Sequence, residues 1–462
     1  MIAAAPAGVR QSLRDRAETA RRRSRTTPGH LQMLVLLIGG TSAALFLVGS
    51  ATLVAAQRSV AGMRHETVPA IVGAQRIHAT LADADRAEAN AFLSGAIEAA
   101  GPHHQYEADI AAAMRELEQA AEQAGGNQAV GRQIQTISVM VTQYTTLVDI
   151  ARADNQQGYP VGAAYLRQAS QLMHRPGDGI LASVDQLGDL DAQDLGAENT
   201  TLVITVGLLV LYAGAAITLL AVLVHCQRFV RERFRRRRNR RLLMATGVLL
   251  LLSVTVASEA VFTAQTLVMA EGQDYNRLLN LWHIRSLVYD ANGNESLSLI
   301  ARGNGDAFDR TFQSNTARLA DRPMTDDLVN QAARGDVRFQ GLLADELNAS
   351  SGDEHDAALD VLRAYRRFMG VDATVRARSQ QGDHDSAARL ALGAAAGQLG
   401  AAFSSLDTAL GRTIDAVQAQ FDRSVAFAEY SLLGHVALQL LTIVIVLLAY
   451  RGLKPRIDEY RS

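Results

Sequence analysis

Two pairs of carboxylates recur in this sequence at a fixed distance along the chain. The first pair is Asp83 and Glu88, and the second is Asp290 and Glu295, 207 residues further on. Five residues along a helix rotate the side chain by about 140°, so one member of each pair can face a helix bundle while the other faces solvent. This pattern fits a ligand-binding site, and it fits a solvated helix face or an internal ion pair as well.

Cationic side chains that can neutralise such carboxylates lie on the same segments. They are Arg76, Arg86 and Arg285. A carboxylate buried in a helix bundle needs a partner of this kind or a cationic ligand. Trp282 is the only tryptophan, and it can either line a pocket or pack near a membrane interface. The four acids and Trp282 are therefore the candidate ligand-binding residues, with an internal ion pair or a solvated helix face as the alternative interpretation.

The sequence contains no constellation of residues typical of catalysis or of a metal centre. It has no Gly-rich phosphate loop, no HExxH and no GxSxG. A single cysteine, Cys226, excludes a thiolate cluster and an intramolecular disulfide. His103 and His104 are adjacent, so their rings diverge on a helix, and we expect an exposed helix start there. The sequence predicts a protein that is not an enzyme and that uses no metal and no cofactor.

The segments that carry these residues have the composition of long helices. The chain is rich in alanine and leucine, has 5% aromatic residues and eight prolines, and shows no long alternating stretch. Apolar residues recur at helical spacing in 137–151 and 359–371. Gly and Pro clusters divide each half into four helices, and the second helix of the second half is split around Arg322-Pro323. We therefore predict an all-α protein with an antiparallel four-helix bundle in each half.

The two halves match each other in sequence. At an offset of 207, Ile77 corresponds to Ile284, Asp83-Ala84 to Asp290-Ala291, and Glu88 to Glu295. At an offset of 224, residues 156–166 correspond to 380–390. These matches predict an internal duplication.

Four apolar segments are long enough to cross a bilayer. Each contains about 20 or more residues almost without charge, which at about 1.5 Å per residue covers the hydrocarbon core. They are 31–56, 201–225, 242–265 and 430–450. The first is much longer than the apolar region of a signal peptide, so we expect an anchor that is not removed. The sequence predicts an integral membrane protein with four transmembrane helices.

A run of arginines between the second and third spans indicates which side is cytoplasmic. The arginines are Arg228, Arg231, Arg233, Arg235, Arg236, Arg237, Arg238, Arg240 and Arg241. Together with the two chain ends, this loop holds 20 basic and 5 acidic residues of the chain's 45 and 47. Short basic segments remain in the cytoplasm, so both termini are predicted inside, in a multi-pass protein of the cell membrane. The loop is too short for a nucleic-acid-binding domain, and we interpret it as an anchor to anionic lipid.

These patterns give a complete order of segments. A cytoplasmic basic arm (1–30) and the first span (31–56) precede an external bundle (57–200) and the second span (201–225). The arginine-rich loop (226–241) and the third span (242–265) precede a second external bundle (266–429), the fourth span (430–450) and a cytoplasmic tail (451–462). The two external segments are net acidic. No cytoplasmic segment is long enough to fold a catalytic domain, so any signal must pass to a separate protein.

This architecture, with the tail "YRGLKPRIDEYR" (450–461) as its most characteristic stretch, resembles the actinobacterial GlnX-like membrane proteins. The resemblance covers the whole chain by architecture and carries over no functional residue. It implies an amino-acid sensor that couples an extracytoplasmic binding lipoprotein to a cytoplasmic Ser/Thr kinase. The external segments are also similar to the helical-bundle sensors of chemoreceptors and histidine kinases, although those proteins continue into long cytoplasmic modules.

Three functions remain open from the sequence. The first is a transmembrane sensor that binds a small molecule or a ligand-loaded binding protein outside and relays the signal to a cytoplasmic partner. The second is a transporter or an accessory subunit of one, which the absence of charged or broken spans disfavours. The third is an envelope scaffold. The ligand is not identified by the sequence, and a homodimer is left open.

Overall fold

The chain is helical throughout the residues that the structure, a computed structural model, describes. These are 27–62, 68–95, 100–124, 126–157, 161–197, 199–234, 239–269, 275–301 and 305–458, and no strand occurs among them. The helices are α1 (Thr27–Gly62), α2 (Val68–Ser94), α3 (Ala100–Gln123), α4 (Gln128–Gln156), α5 (Gly162–His174), α6 (Ile180–Ala197), α7 (Asn199–Phe234), α8 (Arg240–Met269), α9 (Tyr275–Ile300), α10 (Asp306–Leu319), α11 (Asp326–Ala332), α12 (Leu342–Ala349), α13 (Asp353–Gln380), α14 (His384–Leu392) and α15 (Leu399–Asp458). The all-α prediction is confirmed for this part of the chain. The helices divide into two compact units.

The first unit packs α1, α7, α8 and the end of α15 around an aliphatic core. It contains residues 1–61, 198–267 and 426–462. Two helical stretches, His30–Thr52 and Gly207–Glu232, are long and apolar enough to cross a membrane. The side chains of 255–265 and 430–439, in the third and fourth predicted spans, lie outside the described residues. Large apolar side chains that remain exposed occur on all four helices, for example Leu36, Ile217, Val254 and Leu440.

The arginine-rich loop lies at the ends of helices of this first unit. Arg228, Arg231, Arg240 and Arg241 are exposed, whereas the side chain of Arg233 and all of Arg235, Arg236, Arg237 and Arg238 lie outside the described residues. Arg241 donates to the carbonyl oxygen of Arg451 at 2.7 Å, and Asn239 Nδ2 donates to that of Gly452 at 3.0 Å. These bonds attach the start of α8 to the last part of α15.

The second unit contains most of both segments that are predicted to be external, as residues 62–197 and 268–425. Its centre is the pair α2 and α9, the first helix of each half. A Cβ added at Gly293 would lie 3.3 Å from the Cα of Arg86, so the two backbones approach closely there. Ser296 donates to Asn90 Oδ1 at 2.5 Å. Arg86 and Gly293 correspond at the offset of 207, so equivalent positions face each other and the two helices run parallel.

The number of helices in each half differs from the four that the sequence predicts. Among the described residues, the second half has seven helices, α9 to α15, and the first half has five, α2 to α6, because a turn at residues 175–179 separates α5 from α6. Gly177 adopts φ +85° in that turn, and Gly397 adopts the same value between α14 and α15. Glycine tolerates this left-handed conformation, so these two glycines permit turns at places where the sequence predicts continuous helices. The predicted break around Arg322-Pro323 is confirmed, since α10 ends at Leu319 and α11 begins at Asp326.

Candidate functional site

A buried carboxylate on α2, Asp85, is the centre of a polar cluster in the second unit. Its side chain accepts hydrogen bonds from Tyr144 Oη at 2.9 Å and from Ser170 Oγ at 2.9 Å. The Nε2 atom of His174 lies 3.0 Å from its second oxygen. Helices α4 and α5 supply these three partners. A carboxylate that is only 2% exposed requires such partners, because burial without them costs several kcal/mol, by an order-of-magnitude estimate.

His174 extends this cluster from the first half of the chain to the second. Its Nδ1 atom lies 3.7 Å from Oδ1 of Asp290 on α9. Burial by itself would lower the pKa of His174, but the charge of Asp290 and the bond to Asp85 raise it to about 9. Burial also raises the pKa of Asp290, and the charge of His174 opposes that shift. The imidazole thus lies between one carboxylate of each half, and both neighbours favour its protonated form.

Asp290 is incompletely satisfied in this arrangement. Its Oδ1 atom is buried and accepts no hydrogen bond, because 3.7 Å from His174 is too long for one. A shift of α9 relative to α5 by about 1 Å is enough to form or to lose this contact. We call the group formed by Asp85, Tyr144, Ser170, His174 and Asp290 the seam cluster.

The equivalent position in the first half, Asp83, has a different environment. Arg86 Nε donates to Asp83 at 2.5 Å, and the Arg86 guanidinium lies 4.5 Å from the ring centre of Phe403. Burial and the charge of Asp83 raise the pKa of Asp109 to about 7. Asp83 therefore belongs to an ion pair on its own helix, whereas Asp290 reaches toward the other half.

Glu88 is paired with a histidine that the sequence predicted to be exposed. His103 Nδ1 lies 2.9 Å from Glu88, and both side chains are buried. Burial raises the pKa of Glu88, and the hydrogen bond to His103 opposes the shift. The expectation of an exposed helix start is therefore wrong for His103 and holds only for its neighbour His104, which is 76% exposed. A buried acid one helix away provides the partner that makes burial of His103 tolerable.

Glu295 lies in an ion network inside the second half. Arg376 on α13 binds Glu295, Asp372 at 3.0 Å and Asp309 at 2.9 Å. Its guanidinium also lies 3.8 Å from the ring centre of Phe312. Burial and the charge of Asp372 raise the pKa of Glu295 to about 8, although Arg376 acts in the opposite direction. Because one arginine pairs with three carboxyl groups, we expect this network to hold together only while Arg376 is present.

Trp282 is 9% exposed and its indole Nε1 has no hydrogen-bond partner. The Arg285 guanidinium lies 5.5 Å from its ring centre. Of the five candidate residues, the structure thus brings only Asp290 into a cluster that joins the two halves. Among the residues that the structure describes, no group of three or more His, Cys, Asp or Glu side chains is placed to hold a metal ion.

The seam cluster is not repeated in the second half. At the offsets that relate the halves, Asp85 corresponds to Asn292 and Tyr144 to Phe368, which is fully buried in an aromatic contact with Phe403. The charged acid and its hydroxyl donor are thus replaced by an amide and a phenyl ring. The two halves share helices but differ in the polar chemistry of their interiors.

The comparisons with known proteins bear on the half that holds most of this cluster. Residues 59–200 match the sequence model of a family described as the actinobacterial sensor domain. No curated protein and no solved structure was found to match the chain. The match supports a sensor protein of actinobacteria, and the two apolar helices are consistent with a membrane location. Asp85, Tyr144, Ser170 and His174 all lie within the matched residues, whereas Asp290 lies outside them.

Proposed function

We propose that this chain is a non-enzymatic transmembrane sensor of an actinobacterial cell membrane. Its external unit binds a small molecule or a ligand-loaded binding protein, and its cytoplasmic ends relay the event to a separate protein. The match of residues 59–200 to a sensor domain supports the sensing role. The single observation that carries the proposal is the seam cluster, in which His174 lies between carboxylates of the two halves.

The seam cluster has the properties of an element with two states. Asp85 is fully bonded, whereas the contact of His174 with Asp290 is 3.7 Å long and lacks a hydrogen bond. Helix shifts in signalling proteins are typically about 1–2 Å, which is the distance that decides whether this contact forms. A ligand that favours one spacing of α2 and α9 shifts the population toward it. Since α2 follows α1 and α9 follows α8 in the chain, such a shift can reach the membrane helices.

The proposal includes four spans with both termini in the cytoplasm. Exposed large apolar side chains on α1, α7, α8 and α15 are what a bilayer covers, and they would be unfavourable in water. The exposed arginines at the ends of α7 and α8 fit an inner surface that carries anionic lipid. The segments proposed to be external hold 25 basic and 41 acidic residues, which favours an external partner with a basic face.

Proposed partners are an extracytoplasmic binding protein and a cytoplasmic signalling protein, such as a Ser/Thr kinase. Crosslinking in intact cells, followed by mass spectrometry of the proteins that copurify, tests this directly. We expect an external binding lipoprotein and a cytoplasmic kinase in the same sample. Recovery of transporter subunits or wall-building enzymes alone would contradict the proposal and favour an accessory or scaffold role.

A further inference from the structure

A cavity of about 890 Å³ lies in the second half, away from the seam cluster. Helices α10 and α13 and the turn between α14 and α15 form its walls. Much of its lining is small or apolar, including Ala317, Met324, Met369, Val371 and Ala401. Its volume falls within the range of small-molecule sites, about 300–1,000 Å³. None of the acids predicted from the sequence lines it.

Three arginines also line this cavity: Arg322, Arg366 and Arg367. Asp321 is the one acid in its lining, and it is paired with Arg322 at 2.9 Å. Arg366 binds Asp326 through its terminal nitrogen, but its Nε is buried without a hydrogen-bond partner.

Arg367 has no ion pair or hydrogen bond among the described residues. The cavity thus has one guanidinium without a counter-charge, that of the exposed Arg367, within segments that are acidic as a whole.

We propose that this cavity binds a small organic anion that combines a carboxylate with an apolar body. The guanidinium of Arg367 is a donor suited to a carboxylate, since an arginine fork can bind both of its oxygens, and Arg366 lies beside it in the lining. The alanine, methionine and valine side chains cover an apolar body, which an inorganic anion lacks. This proposal adds a ligand class to the proposed sensing function. Binding of the anion does not depend on that function, whereas a role of the anion as a signal rests on it.

Fluorine NMR of the full chain in lipid nanodiscs tests the inference. The probe is 3-(4-fluorophenyl)propionate, and the uncharged comparison is 3-(4-fluorophenyl)propan-1-ol, with empty nanodiscs reporting partition into lipid. We expect saturable line broadening of the carboxylate and much weaker broadening of the alcohol. Equal broadening of both probes, or no saturable broadening of the carboxylate, would overturn the proposal.

Two variants locate the binding within the molecule. Arg367→Gln removes a charge without breaking an ion pair, and we expect the dissociation constant to rise about tenfold or more. Arg378→Gln makes the same charge change on an exposed part of α13 outside the lining, and it should leave binding unchanged. Ala373→Trp places bulk in the cavity from an exposed helix position, so the fold should tolerate it while binding is lost. Unchanged binding in both Arg367→Gln and Ala373→Trp would place the probe elsewhere and contradict the proposal.

The binding experiment and the crosslinking experiment can fail independently of each other. If the chain binds the carboxylate but crosslinking recovers no signalling partner, the binding site is supported and the proposed sensing function is contradicted. If an acidic peptide displaces the bound fluorinated carboxylate but excess carboxylate without fluorine does not, the cavity would be assigned to a protein partner. That result would overturn the inference.

Discussion

We expect His174 to make the stability of the second unit depend on pH in a defined direction. Its pKa is raised from 6.5 to about 9 in the folded chain, so its stabilising charge is fully present below about pH 6.5. That contribution, about 2–3 kcal/mol as an order of magnitude, is lost as the pH rises through 9. Fluorescence of the single Trp282 reports unfolding of this unit in the full chain. We expect the loss between pH 6.5 and 9 to become smaller in His174→Gln.

His104→Gln is the matched control for this variant, since His104 is exposed and pairs only with the exposed Glu107. It should keep the pH dependence of the unaltered chain. Glu295 contributes in the same direction: its pKa of about 8 means that its ionisation destabilises the fold as the pH rises from about 4.5 to 8. An identical pH profile in His174→Gln and His104→Gln would contradict the assignment of charge to His174.

Arg376 is the residue of the second half whose loss should be most costly. Arg376→Gln leaves Glu295, Asp372 and Asp309 close together without their cation, and we expect a loss of about 3–5 kcal/mol in the free energy of unfolding. Arg378→Gln, two residues away and exposed, should change it by less than about 0.5 kcal/mol. Denaturant titration followed by Trp282 fluorescence measures both. Similar losses in the two variants would show that the network is not structurally important.

At the scale of the helix, the pairing of α2 with α9 depends on a glycine. Gly293→Leu introduces bulk where a Cβ alone would approach the Arg86 backbone to 3.3 Å, and we expect a loss of about 1–3 kcal/mol. Gly411→Ala places a Cβ in open space on a helix and should stabilise by about 0.5–1 kcal/mol. Thermal unfolding of the full chain compares the two. A stabilising Gly293→Leu would contradict the close approach of the two helices.

Helical periodicity predicts some residues of this site and not others. Ile77, Leu81 and Glu88 recur at helical spacing on the buried face of α2, and Asp85 lies four residues after Leu81 on the same face. Asp83 was selected because it recurs at the offset of 207, but Asp85 occupies the buried stripe and is the more informative acid. This spacing was available in the sequence. The partners Tyr144, Ser170 and His174 were not, because they lie on helices that approach α2 only in the folded chain.

The helix boundaries show a similar division. Composition and periodicity predicted an all-α chain and the break near Arg322-Pro323. They did not predict the turns at Gly177 and Gly397, since a glycine within an Ala-rich stretch is compatible with a continuous helix until its φ is known. The sequence predicts four spans, whereas two helices among the described residues are long and apolar enough to cross a membrane. The other two spans stay a prediction.

For the whole molecule, the proposed topology predicts opposite accessibility of two surfaces. In a Cys226→Ala background, Arg240→Cys should react with a membrane-impermeant maleimide only in inverted vesicles, and Thr374→Cys only in intact cells or spheroplasts. Both positions are exposed in their own units, so burial does not account for a lack of reaction. Reaction of both positions from the same side would contradict the four-span arrangement.

If a change in the seam cluster reaches the ends proposed to be cytoplasmic, it should alter the reactivity of a label placed there. Arg231→Cys, at an exposed site near the end of α7, reports the surface that we propose to be cytoplasmic, in a Cys226→Ala background. The maleimide reaction rate in inverted vesicles is then compared between His174→Gln and His104→Gln. We expect a changed rate in His174→Gln and the unaltered rate in His104→Gln. An unaltered rate in a folded His174→Gln chain would contradict a relay through the seam cluster.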